Sequence, residues 1–103
     1  MIIYNVTLHV EDDIRDAWIT WMQSTHIPEV LATGKFGEAR FTRVLGQEQQ
    51  GGATFSVQYL APSRELLEQY YREDAPRLRE AVAARFGDKC IAFRTELELV
   101  SQH

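Results

Sequence analysis

Apolar and polar residues alternate with period two in three segments of the chain, and this alternation predicts β-strands. These segments are Ile2–Val10, Ala53–Ala61 and 89–100. A further strand is predicted over 36–46. Its inward phase stays open, because Phe41 and Val44 fall on opposite faces of a regular strand and a bulge would change the phase.

Between the strands, apolar residues recur at the spacing of an amphipathic helix, once before the second strand and once before the last. A proline interrupts each pattern, at Pro28 and at Pro76. The residue before a proline avoids the right-handed helical conformation, so we predict that the helices break near Ile27 and near Ala75.

The two halves of the chain form an approximate internal duplication. "HIPEVL" and "DAPRLR" occupy matching places, and each is followed by a helix-ending glycine, Gly34 or Gly87, and then by a strand. The order is βαββαβ, with a polar hairpin turn at 47–52. It predicts one α+β domain over 1–103 with a ferredoxin-like fold, in which two broken helices cover one face of a four-stranded antiparallel sheet.

The predicted sheet has one apolar face, which we assign to the helices, and one polar face. The apolar set is Tyr4, Val6, Leu8, Phe55, Val57, Tyr59, Ile91, Phe93 and Leu97, and the polar set is Asn5, Thr7, His9, Thr54, Ser56, Gln58, Arg94, Glu96 and Glu98. To the polar face, the second strand adds Arg40 and Thr42, or else Phe41 and Arg43. This face is either solvated or pressed against a second subunit around a cavity. Stacking of RNA is rejected, because its central positions hold no aromatic residues.

Composition narrows the choice of partners. The apolar fraction of 45% and the charged fraction of 25% suit an ordinary soluble protein. A net charge of −4 without a basic cluster argues against nucleic acid. No segment approaches the roughly 20 apolar residues of a membrane span, and the start of the chain does not resemble a signal peptide. With its single cysteine, Cys90, the chain is expected to be cytoplasmic.

His26 is the first candidate for chemistry. If the helical phase of Trp18 and Met22 continues, its ring points inward, where it could act as a general base or an axial haem ligand. Alternatively, it marks the helix break, and its ring hydrogen-bonds backbone freed by Pro28. Asp74 holds the matching place in the second half, where its carboxylate is expected to bond N–H groups of the following turn. That parallel favours the structural interpretation.

The predicted polar face supplies the other candidates. His9 is a second possible base, and the remaining candidates for a cavity lining are Asn5, Gln58, Arg94 and Glu96. Arg94 could hold a ligand carboxylate, or it could pair with Glu96 on the same strand face. The three histidines lack a metal-binding spacing, so no metal site is expected.

Nearly the whole chain resembles a family of short bacterial proteins known only as a domain of unknown function. The segments that carry the resemblance are "IIYNVTLHVEDDIRDAWITWM", "HIPEVLATGKF", "YLAPSRELLEQYYREDAPRLRE" and "RFGDKCIAFRTELELV". The architecture is also similar to the dimeric α+β barrel superfamily, and the His-x-Pro segment resembles that of its EthD-like members. The superfamily further includes antibiotic-biosynthesis-monooxygenase-like proteins.

The superfamily resemblance implies a homodimer joined through the sheet face, with a polar-lined cavity between the subunits. Its haem-degrading members combine a first-strand Asn with a His on the second helix. Here Asn5 fits the first element, but the helical region 63–86 contains no histidine. Haem degradation is therefore not expected, and we expect no cofactor.

The leading functional hypothesis is a homodimer that binds a small organic molecule beside the sheet. The second hypothesis is a cofactor-independent monooxygenase or isomerase, with His26 or His9 as general base and Arg94 as anion anchor. The third is a structural dimer without a ligand.

Overall fold

The computed structural model describes residues 1–46 and 51–103. The strands are β1 (Ile2–Val10), β2 (Glu38–Arg43), β3 (Ala53–Ala61) and β4 (Cys90–Glu98). The helices are α1 (Arg15–Trp21), α2 (Ile27–Ala32), α3 (Arg64–Glu73) and α4 (Ala75–Phe86). A π-helical segment, Met22–His26, joins α1 to α2, and 3₁₀ turns at Asp12–Ile14 and Gly87–Lys89 precede α1 and β4. The predicted βαββαβ order is confirmed, while the predicted hairpin turn at 47–52 lies partly outside the described residues.

The four strands form one antiparallel sheet in the order β2-β3-β1-β4. In its centre, Val6 of β1 lies opposite Val57 of β3 on one side and Arg94 of β4 on the other. Cross-strand partners point to the same face of a sheet, so these three side chains share the face that the helices cover. The largest fully buried side chains are Trp18, Met22, Leu67, Leu78, Val10, Val30 and Val57.

The predicted orientation of the last strand is wrong. The pairing of β4 with β1 turns Cys90, Ala92, Arg94 and Glu96 toward the helices. The apolar residues of this strand lie on the open face of the sheet, where Ile91, Phe93 and Leu97 are 55%, 68% and 44% exposed. Because β4 is an edge strand, its helix side needs only small residues and charged side chains that reach the solvent.

The open phase of the second strand is resolved by Phe41. Its ring packs inward, with its centroid 5.6 Å from that of Trp18 and 5.7 Å from that of Phe55. Arg40 and Thr42 therefore lie on the open face, and the Thr42 hydroxyl donates to the backbone carbonyl of Ser56.

The first helical region is interrupted where predicted, but its backbone stays helical. Ile27 has φ −61° and ψ −46°, so the expected departure at this residue is wrong. Its N–H donates to the carbonyl of Met22, five residues back, as in a π-helix. Pro28 thereby falls in the first turn of α2, where a missing N–H costs little. The Ser24 hydroxyl donates to the Thr20 carbonyl over 2.8 Å.

The second helical region does break, at Asp74, whose φ is −124° and ψ −37°. The Asp74 side chain makes no capping bond to α4, so the expected bond to the following turn is wrong. Instead, its carboxylate accepts from Lys35 Nζ at 3.0 Å and from Arg77 at 3.3 Å.

Glycines end both helical regions, as predicted. Gly34 has φ +79° and Gly87 has φ +61°. A residue with a side chain would adopt these conformations only at a cost in free energy. After each glycine the chain continues into a strand of the sheet, β2 after Gly34 and β4 after Gly87.

Candidate functional site

A cavity of about 250 Å³ lies between the sheet and the helices, and it opens beside α4 and β4. Its floor is the helix-covered face of the sheet, and its walls come from α3, α4 and the π-helical segment. The lining residues are Tyr4, Val6, Leu8, Met22, His26, Val57, Tyr59, Tyr70, Leu78, Arg79, Val82, Ala83, Gly87, Cys90, Ala92 and Arg94. It is thus mostly apolar and aromatic, with a few polar groups, as ligand sites usually are.

His26 enters this cavity from the end of the π-helical segment. The side chain points inward, as predicted, and the residue is only 9% exposed. Its ring stacks on Trp21 with centroids 5.1 Å apart. The buried Nδ1 atom has no hydrogen-bond partner among the described residues, so the expected bond from the ring to backbone freed by Pro28 is not formed.

Burial and, to a smaller extent, the nearby positive charge of Arg94 together lower the pKa of His26 to about 4. The ring is therefore neutral at pH 7. A neutral imidazole offers one N–H donor and one nitrogen acceptor, so it can bond either an acceptor or a donor on a ligand.

Two arginines stand at the opening of the cavity, Arg79 on α4 and Arg94 on β4, and both are exposed. Arg79 donates to the Tyr4 hydroxyl at 3.0 Å, and its guanidinium lies 6.0 Å from the centre of the Tyr71 ring. Arg94 makes no ion pair or hydrogen bond through its side chain within residues 1–46 and 51–103. Its guanidinium is therefore free to bind an incoming group.

Tyrosines form the end of the cavity near α3. Tyr4 contacts the rings of Tyr59 and Tyr70 at centroid distances of 6.0 Å and 5.7 Å. Burial raises the pKa of both Tyr59 and Tyr70, so their hydroxyl groups stay protonated. They can serve as hydrogen-bond donors but not as phenolate bases.

Cys90 lines the cavity as a thiol. Burial raises its pKa to about 11, and the opposing effects of the Trp18 indole N–H and of Arg94 are smaller. A thiol with this pKa is almost entirely protonated at pH 7, so Cys90 is a weak nucleophile. Among the described residues, no group of three or more His, Cys, Asp and Glu side chains could hold a metal ion.

Glu96 connects β4 to α3. Its carboxylate accepts from the Tyr71 hydroxyl at 2.6 Å and from Arg64 at 2.7 Å, and these two bonds lower its pKa. The expected pair between Arg94 and Glu96 is therefore not formed. Glu96 is absent from the cavity lining, and it serves to tie the edge strand to the helix.

The open face of the sheet carries a separate hydrogen-bond network. Asn5 donates to the Thr95 hydroxyl at 3.2 Å and accepts from the Ser56 hydroxyl at 2.5 Å. His9 Nδ1 and the Thr54 hydroxyl are 3.0 Å apart. These polar groups satisfy one another across the strands, which lowers their availability for a ligand.

The six candidate residues from the sequence thus lie in three places. His26 and Arg94 line the cavity, and Glu96 lies outside it, bonded to α3. Asn5, His9 and Gln58 lie on the opposite face of the sheet. Sequence reasoning missed the roles of Arg79, the tyrosines and Cys90. The small side chains of Cys90 and Ala92 were the available signal, since a strand with small residues on one face leaves space beside it.

The fold and the cavity define an α+β protein of the ferredoxin-like class. Within that class, the chain belongs to the family described as "Domain of unknown function (DUF4286)", whose model matches residues 1–100. No curated protein matches the chain significantly. Of the helices in the part of the chain described here, none has the length and apolar character needed to cross a bilayer.

Solved structures share the fold at low identity. An ethyl tert-butyl ether D (EthD) family protein from Bacillus halodurans C-125 has a TM-score of 0.68 and 18% identity, covering 95% of this chain and 100% of that chain. A dimeric ferredoxin-like protein from an uncultured marine organism has a TM-score of 0.75 and 13% identity, covering 99% and 97%. Another such protein, also from an uncultured marine organism, has a TM-score of 0.67 and 11% identity, covering 100% and 98%.

Proposed function

We propose that this protein binds a small organic molecule in the cavity between the helices and the sheet. The observation that carries the proposal is the buried, unpartnered ring of His26. A buried polar group without a partner costs about 1–3 kcal/mol of stability, and such groups in native structures call for an explanation. A ligand in the cavity that His26 lines would bond the ring at its other nitrogen, Nε2, which is not enclosed. The adjoining π-helical segment fits, since such segments are frequent at functional sites.

The size and lining of the cavity limit the ligand. A volume of about 250 Å³ equals that of roughly eight water molecules, at about 30 Å³ each. The ligand is therefore a small molecule and not a macromolecule. Val6 and Leu8 offer apolar contact on the sheet side, and Tyr70 offers an aromatic edge on the helix side.

Two neighbouring alanines of α4 allow a matched test of the cavity. Ala83 lines the cavity and Ala84 does not, although both are exposed on the same helix. We expect benzyl alcohol, as a small neutral probe, to shift the backbone NMR signals of cavity residues in the wild-type protein. The Ala83→Leu variant should weaken this binding, because the larger side chain takes up part of the cavity, whereas Ala84→Leu should not.

Shifts that spread over the whole surface would contradict a ligand site in this cavity. Equal weakening by Ala83→Leu and Ala84→Leu would contradict it as well. Thermal unfolding of both variants supplies the control that the fold is intact.

General-base catalysis is the second candidate function, and it is favoured by the neutral His26 ring inside the cavity. A base works best when its pKa is near the working pH, and a pKa of about 4 makes His26 a weak one. Binding without a reaction is therefore better supported. Oxygen consumption with a naphthohydroquinone tests the alternative: turnover that His26→Gln abolishes and His9→Gln preserves would establish His26 as the base.

We further propose that a second copy of the chain covers the open face of the sheet. Ile91, Phe93 and Leu97 form an exposed apolar stripe on this face, and such stripes commonly mark interfaces. Two proteins with the same fold are described as dimeric, which adds support. Asn5, His9 and Gln58 would then lie at or near the interface, as candidate contacts to the second subunit.

Sedimentation equilibrium tests the dimer. We expect twice the mass of one chain for the wild-type protein, and the mass of one chain for Phe93→Glu, because the new carboxylate would be buried without a partner. The control is Ala84→Glu, which places the same charge on the helix side and should stay dimeric. A wild-type protein with the mass of one chain would contradict the proposal.

A further inference from the structure

The lining of the cavity carries positive charge, whereas the chain as a whole is negatively charged. The chain has a net charge of −4, yet the lining contains two arginines and no aspartate or glutamate. The neutral His26 ring adds no charge at pH 7. The opening of the cavity therefore carries positive charge on a protein that is negative overall.

Arg94 is the part of this arrangement that lacks a partner. The other charged residue on the helix side of β4 near the cavity, Glu96, is occupied by Arg64 and Tyr71. The positive charge of Arg94 lowers the pKa values of His26, Tyr70 and Cys90. These three groups line different walls of the cavity, so the guanidinium lies where its field reaches them all.

Arg79 supplies the second positive charge from the opposite wall. Its bond to the Tyr4 hydroxyl holds the exposed side chain against another residue of the cavity lining. A guanidinium has five N–H donors, so the bond to Tyr4 leaves others for a ligand.

We propose that the ligand of this cavity is a small organic carboxylate, with its carboxylate group bound by Arg94 and its apolar body lying over the sheet between His26 and the tyrosines. The inference rests on the proposed ligand-binding function and specifies its chemical class. A planar guanidinium pairs with a carboxylate through two parallel hydrogen bonds, which a neutral alcohol of the same size cannot form. Arg79 adds a second cation to the lining of the same cavity.

Benzoate and benzyl alcohol form a matched pair of probes, since they share a phenyl ring and differ in the charged group. Their dissociation constants are measured by NMR titration of the cavity signals. We expect benzoate to bind about tenfold or more tightly than benzyl alcohol, because charge-assisted hydrogen bonds are roughly twice as strong as neutral ones. The Arg94→Gln variant should lose this preference and keep its affinity for benzyl alcohol.

Arg40→Gln is the control variant, because it removes the same charge from the opposite face of the sheet. It should keep the preference for benzoate. Equal affinities for the two probes in the wild-type protein would overturn the carboxylate inference and leave ligand binding intact. Equal loss of benzoate affinity in Arg94→Gln and Arg40→Gln would also overturn it, since the effect would then be one of net charge. If neither probe shifts any cavity signal, both the inference and the proposed function fail.

Discussion

Each half of the chain has a helical region with a proline, and the buried polar residue two positions before that proline differs between the halves in its hydrogen bonding. In the first half, the helix stays continuous through a π-helical segment, and the ring of His26 is left without a hydrogen-bond partner among the described residues. In the second half, the helix breaks at Asp74, whose carboxylate is held by Lys35 and Arg77. Both residues are equally buried, at 9% exposure.

This difference separates a structural residue from a functional candidate. Asp74 contributes to stability through its ion pairs and does not line the cavity. His26 gains no comparable bond from the described residues, so its burial costs stability. The parallel between the two positions initially favours one structural role for both, but only Asp74 has one.

Of the substitutions considered, Asp74→Leu should lower the free energy of unfolding the most. Asp74→Leu removes the better buried of the two carboxylates that pair with Lys35 and leaves it only the more exposed Glu73. We expect a loss of about 3 kcal/mol in the free energy of unfolding, measured by urea denaturation, because breaking a buried ion pair on one side is strongly destabilising. A loss below about 1 kcal/mol, as for exposed pairs, would show that the ion pairs of Asp74 contribute little.

Lowering the pH should destabilise the folded protein through His26. His26 has a pKa of about 4 in the folded protein and an ordinary value of 6.5, so the unfolded chain takes up the proton first as the pH falls. The stability that this residue contributes is complete above pH 6.5 and is lost between pH 6.5 and about 4. We expect about 2 kcal/mol less stability at pH 5 than at pH 7 from this residue alone.

The matched measurement is urea denaturation of the wild-type protein and of His26→Leu at both pH values. The difference between the two proteins isolates the contribution of His26 from that of the carboxylates. The same change with pH in both proteins would show that His26 is not the group responsible.

His26→Leu itself should change stability at pH 7 by no more than about 1 kcal/mol, in contrast to Asp74→Leu. Replacing an unpartnered buried polar group by an apolar one of similar size is close to neutral, and the lost stacking on Trp21 is a modest cost. Thermal unfolding checks the prediction. A loss as large as that of Asp74→Leu would mean that the ring has a structural partner after all.

Ser24→Ala should have the smallest effect, about 0.5 kcal/mol. The Ser24 hydroxyl bonds a backbone carbonyl of α1 next to the π-helical segment, and water can replace it because the residue is exposed. Hydrogen exchange of the amides in Met22–His26 is the sharper measurement. We expect Ser24→Ala to speed the exchange of these amides relative to the wild-type protein, and to speed it more than that of the α3 amides. Unchanged exchange would show that the π-helical segment is held by packing alone.

Much of the fold could be predicted from residue patterns. Alternation located β1 and β3, and the glycines at 34 and 87 marked the helix ends. The face of β4 could not be read in this way, because its apolar residues lie on the open side. Apolar character does not name the surface that covers a residue, whereas the prediction assumed burial under the chain's own helices.

The candidate site was predictable only in part. The inward phase of His26 followed from the spacing of Trp18 and Met22, whereas the expected pair of Arg94 with Glu96 is not formed. The meeting of His26 and Arg94 in one cavity depends on the register of β4 against β1, which places Arg94 opposite Val6. No local pattern in the sequence contains that register, and the candidates on the open face were therefore grouped with Arg94 incorrectly.

Native mass spectrometry of the protein purified from its own host tests the central claim most directly, with His26→Leu prepared in the same way. We expect the wild-type protein to retain a small organic molecule, at one per chain, and the stable His26→Leu variant to lose it. A wild-type protein without any bound molecule, or the same molecule retained equally by both proteins, would contradict the claim.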